Sequence, residues 1–538
     1  MKYLKNLMSS VNAGATPQNQ PIPGSTQVAN SAGGHSWAVD DWARLRRFLI
    51  LGSEGGSYYA SESTLTADNA NAVLRCIAAD GARTVKEIIA ISTSGRAPKN
   101  DPALLALALA TAKGDEATRK MALDALPQVA RTGTHLMHFA AFVDNLRGWG
   151  RGLRRAAGDW YNARPAADVV YQAIKYRARD DWSHRDLLRL AHPQPASDEH
   201  RTIYHWITQG WDWVGDESHP VPALQQIWAY ERARRSQDAA EVARLIRDHW
   251  LPREAVPTEF LNEKGVWEAL LESMPMTALI RNLATLTRVG LLETGSEITR
   301  KVIAQITDAA WLRKARVHPL GILTAQRTYA SGHGLRGQHQ WTPVATVVDA
   351  LDQAFYRAFQ NVEPTGSRIL LALDVSGSMS LGNIAGMAGI SPRDASAAMA
   401  LVTAATEPHY ETVSFQDKLK PLALSPRQRL DDVLKSIHNL PFGRTDCAQP
   451  MLWAMNNKKY FDTFIIYTDS ETWFGNIHPA QALKQYRETM GIDARLIVVG
   501  MLANKFSIAD PNDAGMLDVV GFDTSAPELM ATFMCGEV

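Results

Sequence analysis

The chain is poor in cysteine and contains no long apolar run, and both shortages limit the kind of protein it can be. Cys76, Cys447 and Cys535 are its only three cysteines and lie far apart, which argues against a disulfide framework or a zinc cluster. No stretch of about 20 uncharged apolar residues is present, so the sequence predicts no membrane span. The first residues lack the apolar core of a secretory signal. We therefore expect a cytoplasmic protein in a reducing compartment.

The chain also lacks net charge, with 56 basic and 56 acidic residues, but the two signs are unevenly distributed. Residues 1–360 contain 42 Lys and Arg against 36 Asp and Glu, whereas residues 361–538 contain 14 against 20. Excesses of opposite sign favour separate partners for the two parts. A length of 538 residues predicts more than one domain.

The hydrophobic pattern first separates a flexible start from a helical region. Residues 1–29 are rich in Asn, Gln, Ser, Pro and Gly and are predicted to be flexible. Residues 30–360 space their apolar side chains by three and four positions, which predicts stacked antiparallel helices. No fixed repeat period persists beyond two copies, so a solenoid with diverged repeats and a set of irregular bundles both stay open. Ser183, before HRDLLRL, is expected to cap a helix.

Residues 361–538 follow a different pattern, in which short apolar runs alternate with helical segments. RILLALDV, HYETVSF, DTFIIYTD and ARLIVVGM have the length of strands. Continuous apolar strands alternating with helices predict a parallel, doubly wound sheet covered on both faces. The expected fold class is therefore multidomain, an α region followed by an α/β domain.

Carboxylates and hydroxyls collect where the predicted strands end. Asp374, Ser376 and Ser378 follow one strand, Asp469 follows another, and Thr445 lies in a loop before a helix. Ligands bind at the carboxyl ends of strands in such sheets. Oxygen donors without His or Cys suit a hard cation, and we predict Mg²⁺, with Mn²⁺ as an alternative. A buried Asp beside ordinary loop serines would explain one of these loops but not three.

The spacing D-x-S-G-S, with T-D and T-D-S on later loops, resembles the metal-ion-dependent adhesion site of von Willebrand factor A domains. A phosphotransferase of the haloacid-dehalogenase type is the nearest enzymatic alternative. It requires a second Asp two positions after the first, where this chain has Ser376. GHGLRG (332–337) fits a nucleotide-binding glycine pattern but follows a helix instead of a strand, which predicts an ordinary loop. We therefore predict that the protein is not an enzyme.

Cations and aromatic residues are concentrated between Arg147 and Arg189, with ten Lys and Arg against five Asp. Lys175 and Arg179 are four positions apart and are predicted to share one helix face. This combination suits phosphate contacts and base stacking. A solvated basic face over a helical core explains the composition equally well, and the residues alone leave both interpretations open.

Taken together, the chain resembles the Ro autoantigen family of RNA-binding proteins, in which a TROVE domain precedes a von Willebrand factor A-like domain. The resemblance covers the chain from about residue 30 to the end. It rests on NSAGG (30–34), GTHLMHF (133–139), DWYN (159–162), KYRARDDWSHRDLLRLAHPQP (175–195), WEALLESMPMTALIRNL (267–283), HPLGILTAQRTYASGHGLRG (318–337), AFYRAF (354–359), VEPTGSRILLALDVSGSM (362–379), TDCAQPMLWA (445–454) and IADPNDAGMLDVVGFDT (508–524).

The resemblance implies a ring of HEAT-like helical repeats over residues 30–360, closed by an A-type domain over residues 361–538. It implies a monomer that binds small noncoding Y RNA on a basic outer surface and the single-stranded ends of misfolded RNA in a central hole. Its implied role is noncoding RNA quality control and processing, with exoribonucleases such as polynucleotide phosphorylase as partners. The family's Y RNA surface maps onto Lys175, Arg179 and His192, and on charge alone we add Arg177, His184, Arg185 and Arg189.

The resemblance also assigns roles in the metal site. Direct ligands would be Ser376, Ser378 and Thr445, with Asp374 and Asp469 close to the metal or bridged to it by water. The chain departs from the family at Arg444, where a glycine is usual. A cation there would weaken metal binding or pair with Asp446.

Two other functions compete with the RNA-binding interpretation. One is a metal-dependent protein-interaction scaffold without a specific RNA role, in which the A-type domain recruits a partner through a carboxylate. The other is a Mg²⁺-dependent nuclease or phosphatase, which the missing second Asp disfavours.

Overall fold

Two regions of different architecture follow one another along the chain. The computed structural model describes residues 15–210, 221–334, 339–359, 363–387, 389–441 and 443–537. Residues 30–359 are here called the helical region, and residues 363–537 the sheet domain. This order confirms the predicted fold class of an α region followed by an α/β domain.

The helical region is built from short helices that pack on their neighbours in sequence, as the apolar spacing predicts. Its longest helix is interrupted by non-helical backbone at Asp80. The helices span Asp41–Leu51, Glu62–Ser94, Asp101–Lys113, Glu116–Asp124, Leu126–Val129, Gly133–Arg147, Arg151–Asn162, Ala166–Lys175, His184–Ala191, Asp198–Gln209, Pro222–Ala233, Ala239–His249, Lys264–Glu272, Met276–Arg288, Glu297–Ile306, Ala309–Lys314, Pro319–Ser331 and Ala345–Arg357.

Side-chain caps determine where several of these helices begin. The Ser183 hydroxyl accepts from the backbone N–H of Asp186 at 3.3 Å, and the Asp186 carboxylate accepts from the backbone N–H of Ser183 at 3.0 Å. This reciprocal arrangement is a capping box, and it confirms the predicted cap. The preceding chain forms a small antiparallel hairpin, Ala178–Arg179 with Trp182–Ser183.

The sheet domain contains a six-stranded sheet, parallel except at one edge. From edge to edge the strands are Met516–Val520, Arg495–Gly500, Thr463–Thr468, Ile369–Asp374, Tyr410–Phe415 and Leu419–Pro421. The last of these pairs antiparallel to its neighbour, a strand that the sequence did not predict. The helices of the domain are Pro392–Thr406, Leu430–His438, Gln449–Asn456, Pro479–Met490 and Ala526–Cys535.

Successive side chains of the central strand Ile369–Asp374 pack alternately into two separate hydrophobic cores. Leu371 and Leu373 join a core that continues into the helical region, whereas Leu370 and Ala372 pack on the opposite face of the sheet. Because successive side chains of a strand point to opposite faces, one face of the sheet completes the core of the helical region. The two regions therefore share apolar packing.

A buried cation joins the first long helix to the sheet domain. The side chain of Arg47 is 1% exposed and donates to both carboxylate oxygens of Asp518, at 2.6 and 2.7 Å. It also donates to the carbonyl oxygens of Asn504 and Phe506 at 3.2 and 2.9 Å. Nearby, the strand His35–Ala38 pairs with Val28–Ala29 on one side and with Phe506–Ser507 of the sheet domain on the other, so both regions contribute to one small antiparallel sheet.

The two ends of the helical region meet at the sheet domain. The His318 Nε2 atom is hydrogen-bonded to the carbonyl oxygens of Arg96 and Phe522, at 3.1 and 3.0 Å. The Arg96 guanidinium also forms a bidentate ion pair with Asp523, with an Nε–Oδ2 distance of 2.8 Å. The succession of helices therefore returns to its own beginning, with the sheet domain at the junction.

The N-terminal segment differs from our prediction of flexibility over residues 1–29, of which 1–14 lie outside the described residues. Gln18 is fully buried, and its Nε2 atom donates to Asp446 at 2.6 Å and to the Ile477 carbonyl at 2.8 Å. Thr16 bonds to Gln481. Polar side chains in this segment therefore satisfy buried groups of the sheet domain, which composition alone does not reveal.

Three further predictions concern the cysteines, membrane-spanning helices and the GHGLRG string. Cys76, Cys447 and Cys535 are all free thiols. Within the described residues, no helix is both long and apolar enough to cross a bilayer. The start of the glycine-rich GHGLRG string follows the helix Pro319–Ser331, whereas its residues 335–337 lie outside the described part.

Replacing Arg47 tests the junction between the two regions. Arg47→Met keeps the apolar stem and removes the charge that Asp518 pairs with, and breaking a buried pair costs about 3 kcal/mol or more. Urea denaturation should show that loss in the free energy of unfolding. The control is Arg75→Ala, which removes an ion pair with Asp41 whose side chains are 54% and 38% exposed and should cost less than about 1 kcal/mol. Equal, small effects would show that Arg47 does not hold the regions together.

Candidate functional site

The predicted carboxylates lie together because their strands are neighbours. Asp374 ends Ile369–Asp374, and Asp469 immediately follows the adjacent parallel strand Thr463–Thr468. Parallel strands end at the same edge of a sheet. Both residues are buried, at 0% and 1% exposure. The strand pattern thus placed these two side chains correctly.

The Asp374 carboxylate organises the first loop. Its Oδ1 atom accepts from the backbone N–H of Ser376 at 2.8 Å, and its Oδ2 atom accepts from the Thr468 hydroxyl at 2.7 Å. The Ser376 and Ser378 hydroxyls are 3.2 Å apart and buried. The structure therefore brings Asp374, Ser376 and Ser378 into one cluster, and the hydroxyl of Thr468 joins the second strand to it.

Negative charge accumulates in this cluster without an ion-pair partner. Burial, assisted by the charge of Asp469, raises the pKa of Asp374 to about 7, and burial also raises the pKa of Asp469. Burial and Asp469 likewise raise the pKa of Glu471 to about 8. Among the described residues, no basic side chain forms an ion pair with any of the three, and the Oδ2 atom of Asp469 has no hydrogen-bond partner. An added cation would relieve this repulsion.

The donor chemistry of the cluster fits a hard divalent ion. The described residues contain no group of three or more His, Cys, Asp and Glu arranged to hold a metal. Any ion here would therefore depend on the serine and threonine hydroxyls as well as on carboxylates, as expected for Mg²⁺. An oxygen of Asp469 that is buried and unpaired is consistent with that use.

Thr445 lies in a third loop that is fastened to the second. Its carbonyl oxygen accepts from the backbone N–H groups of Trp473 and Phe474, at 3.2 and 3.0 Å. Arg444 does not pair with Asp446, contrary to one of our two alternatives. Its guanidinium lies 3.7 Å from the Phe474 ring centroid and 3.3 Å from Asp417. The guanidinium of Arg444 is therefore stabilised by stacking on Phe474 and by the ion pair with Asp417.

Sequence reasoning missed two residues near the cluster, Tyr59 of the helical region and Glu471 of the sheet domain. Tyr59, from the loop between the first two long helices, lies partly buried near this cluster, where burial together with the charges of Asp469 and Glu471 raises the pKa of its phenol. Glu471 accepts from the backbone N–H of Ser31 at 2.8 Å. Glu471 could have been found from the sequence, because it is an acidic residue two positions after Asp469. Tyr59 had no such signal, because its position near the cluster depends on the junction of the two regions.

The NSAGG string supports the loop that follows Asp469. Asn30 donates through Nδ2 to the carbonyl oxygen of Thr472 at 2.6 Å. A Cβ atom on Gly34 would collide with that same carbonyl, so only glycine allows the two backbones to approach this closely. One string of the family resemblance therefore has a structural reason: it holds a loop of the candidate metal site.

The predicted basic surface is formed by a helix end, a hairpin and the next helix. Lys175 is the last residue of Ala166–Lys175, and Arg179 belongs to the following hairpin, so the two do not share a helix face as we predicted. The backbone of Asp180 and Asp181 is left-handed, with φ values of 51° and 62°. These residues form the hairpin turn, which ends the helical pattern.

The exposed cations of this surface are Arg177, Arg179, Arg185, Arg189 and His192. In the described part of the chain, none of the four arginines forms an ion pair. Arg189 donates to the Thr208 carbonyl at 2.9 Å. Lys175 is only partly exposed, and its Nζ atom donates to the Tyr171 hydroxyl at 2.9 Å. The surface therefore offers four arginines without an ion-pair partner among the described residues, although Asp180, Asp181 and Asp186 lie in the same hairpin and helix.

His184 is a core residue and not part of this surface. It is 3% exposed, and its Nδ1 atom is hydrogen-bonded to the Tyr161 hydroxyl at 2.7 Å. Burial lowers the pKa of His184 to about 4, so the ring is neutral at pH 7. Its inclusion on charge alone was wrong, because it occupies the inward side of the helix His184–Ala191.

The buried neutral state of His184 predicts a pH effect on stability. An unfolded histidine titrates near pH 6.5, so between pH 6.5 and about 4 the unfolded state binds more protons and stability falls as the pH drops. His184 should contribute roughly 3 kcal/mol of that loss. Denaturation of His184→Gln at several pH values should show a shallower loss, whereas the exposed His192→Gln should keep the wild-type slope. Identical slopes for all three proteins would contradict the assignment.

Comparison with known proteins gives the same division of the chain. A model of the TROVE domain matches residues 28–328, and a model of the Ro60 vWA domain matches residues 368–534. RNA-binding protein RO60 of Deinococcus radiodurans is 44% identical over 537 residues, covering 99% of this chain and 100% of that protein. RNA-binding protein RO60 of Caenorhabditis elegans is 37% identical over 587 residues, covering 95% of this chain and 90% of that protein.

A solved structure extends the similarity to three dimensions. The crystal structure of the Deinococcus radiodurans RO (RSR) protein superposes with a TM-score of 0.70 and 44% identity, covering 93% of this chain and 100% of that one. The helical region and the mostly parallel sheet thus follow one another in the same order as the two matched domains. Sequence and fold together make this chain a member of the Ro60 family, with a TROVE domain followed by a vWA domain.

Proposed function

We propose that this protein binds RNA through the basic surface around the hairpin 178–183 and the helix His184–Ala191. The observation that carries the proposal is the group of exposed arginines without ion-pair partners among the described residues. Cations on a fixed scaffold release counterions from a phosphate backbone when they bind. The relatives named as RNA-binding proteins support the same function.

Small noncoding Y RNA is the proposed ligand of this surface, as the family resemblance implies. The proposal includes single-stranded ends of misfolded RNA bound within the ring of helices, and exoribonucleases as partners in quality control. The protein would act as a monomer and a scaffold with no catalysis of its own. The relatives are named as binding proteins and not as enzymes, which supports this choice.

Removing two cations tests the proposed surface. Arg179→Ala combined with Arg185→Ala should weaken binding of a small stem-containing noncoding RNA by roughly tenfold or more at fixed salt. The slope of log affinity against log salt should become shallower by about 1 to 2, since fewer counterions are released. Filter binding or fluorescence anisotropy over a salt series measures both quantities.

A matched control uses exposed cations that already have acidic partners. Arg201 pairs with Asp198 and Lys301 pairs with Glu297, with cation side chains 69% and 74% exposed. The double variant Arg201→Ala and Lys301→Ala changes the charge by the same amount at positions outside the hairpin 178–183 and the helix His184–Ala191. Equal losses in both double variants would show a general charge effect and overturn the proposed surface.

The cluster at the strand ends supports a second candidate function, a metal-dependent protein interaction. We propose that Ser376, Ser378 and Thr445, with Asp374 and Asp469 close by, hold Mg²⁺ or Mn²⁺. When bound, such an ion supplies an open position for a carboxylate of a partner protein. The supporting observation is the unpaired, buried Oδ2 atom of Asp469 among oxygen donors.

Asp469→Asn tests the metal site with little change in shape. The variant removes one negative charge, so the heat of Mg²⁺ binding in calorimetry should disappear, together with the thermal stabilisation that bound Mg²⁺ gives. RNA affinity should stay unchanged because the basic surface belongs to the helical region. Asp493→Asn, at a fully exposed carboxylate, should bind Mg²⁺ like the wild type. Wild-type Mg²⁺ binding by Asp469→Asn would exclude the proposed site.

A further inference from the structure

A cavity of about 370 Å³ opens beside Lys175. That volume falls at the lower end of the roughly 300–1,000 Å³ typical of small-ligand sites. Its walls are mainly apolar and include the aromatic side chains of Tyr171 and Trp250, while Lys175, Arg253, Glu254 and Asn282 supply polar groups. The metal cluster and the junction between the two regions do not contribute to it.

Trp250 stands at the edge of this cavity in an uncommon conformation. Its side chain is 67% exposed, and its backbone is left-handed, with φ 56° and ψ 40°, where the helix Ala239–His249 ends. A bulky residue adopts that backbone only when its surroundings enforce it. Leu251, which follows, is 1% exposed and anchors the chain. The chain therefore holds a large indole in solvent where a glycine would be the easier choice.

The cavity lining contains two cations, Lys175 and Arg253, and one carboxylate, Glu254. Lys175 lies within reach of the Glu254 charge and donates to Tyr171. Its Nζ atom also lies 5.1 and 5.6 Å from the ring centroids of Tyr171 and Tyr176. The remaining walls are mainly apolar and include two aromatic side chains. The cavity therefore suits a flat ring with polar edges, while the phosphates of the same RNA strand stay on the exposed arginines outside.

We propose that this cavity receives an unpaired nucleobase of the RNA bound on the adjoining basic surface. The base would stack on the indole of Trp250, with its polar edge directed at groups such as Asn282. This inference rests on the proposed RNA-binding function and adds a site to it. The two sites are continuous because Lys175 lines the cavity and also ends the helix that leads into the Arg177–Arg179 segment. Phosphates held by those arginines would leave a neighbouring base within reach of the cavity.

Base stacking and phosphate binding respond differently to salt, which allows a sharp test. Stacking on an aromatic side chain contributes about 1–3 kcal/mol per base, so Trp250→Ala should weaken binding of a stem with a single-nucleotide bulge by roughly five- to a hundredfold. The dependence of affinity on salt should not change, since stacking releases no counterions. A fully paired stem of the same length should bind both proteins equally. With 2-aminopurine as the bulged base, quenching of its fluorescence should be lost in the variant.

Two control variants separate stacking from general effects. Trp250→Phe keeps an aromatic face and should restore part of the affinity for the bulged RNA. Trp311→Ala removes another exposed tryptophan, 48% exposed and distant in sequence, and should bind like the wild type. Because the Trp250 side chain lies mainly in solvent, its removal should leave the fold intact, which circular dichroism would verify.

The possible outcomes distinguish this site from the proposed function itself. If the wild-type protein binds neither RNA, the proposed function fails and the base site fails with it. If the wild type binds both RNAs and Trp250→Ala binds the bulged RNA equally well, the base site alone is overturned. Equal losses on bulged and fully paired RNA would also overturn it, because Trp250 would then contact RNA without receiving a base.

Discussion

The buried guanidinium of Arg47 is the interaction on which the rest of the arrangement depends. It connects a helix of the TROVE domain to Asp518 on the edge strand of the vWA sheet, with Asn504 and Phe506 as further acceptors. A buried cation of this kind is tolerated when its charge is paired and most of its donors are hydrogen-bonded, and in Arg47 only the Nε atom has no partner among the described residues. That requirement sets the position of the first helix, and with it the strand His35–Ala38 and the NSAGG string beside the candidate metal site.

The candidate metal site is consequently a feature of the junction and not of the vWA domain alone. The vWA strands position Asp374 and Asp469, but Asn30 and Ser31 of the TROVE domain hold the loop that follows Asp469. An isolated vWA domain would keep the first set of contacts and lose the second. The positions of the candidate ligands therefore depend on the contact between the two domains, whereas the ligand atoms themselves all belong to the vWA domain.

Sequence reasoning succeeded where the determinants are local. The apolar run before Asp374 and the hydroxyl spacing after it specify a buried strand end, and Ser183 with Asp186 specifies a cap. It failed where long-range packing decides. A histidine can be exposed or buried, and the sequence does not distinguish the two cases for His184. Only the tertiary fold places it beside Tyr161. Gln18 is polar in a polar segment, yet its amide satisfies buried groups more than 400 positions away. The helix ends at Lys175 because the chain then enters the hairpin 178–183. The turn of that hairpin, at Asp180 and Asp181, contains no glycine that would have signalled it in the sequence.

Ion pairs between the two domains account for part of their opposite charge excesses. Several cations of the TROVE domain are paired with acids of the vWA domain across the junction, among them Arg47 with Asp518, Arg96 with Asp523 and Arg327 with Asp394. These pairs hold the domains together and leave those arginines little freedom to bind phosphate. The arginines around the hairpin have no such partners in the described part of the chain. The RNA surface proposed here therefore rests on the unpaired arginines around the hairpin, and not on the charge excess of the whole domain.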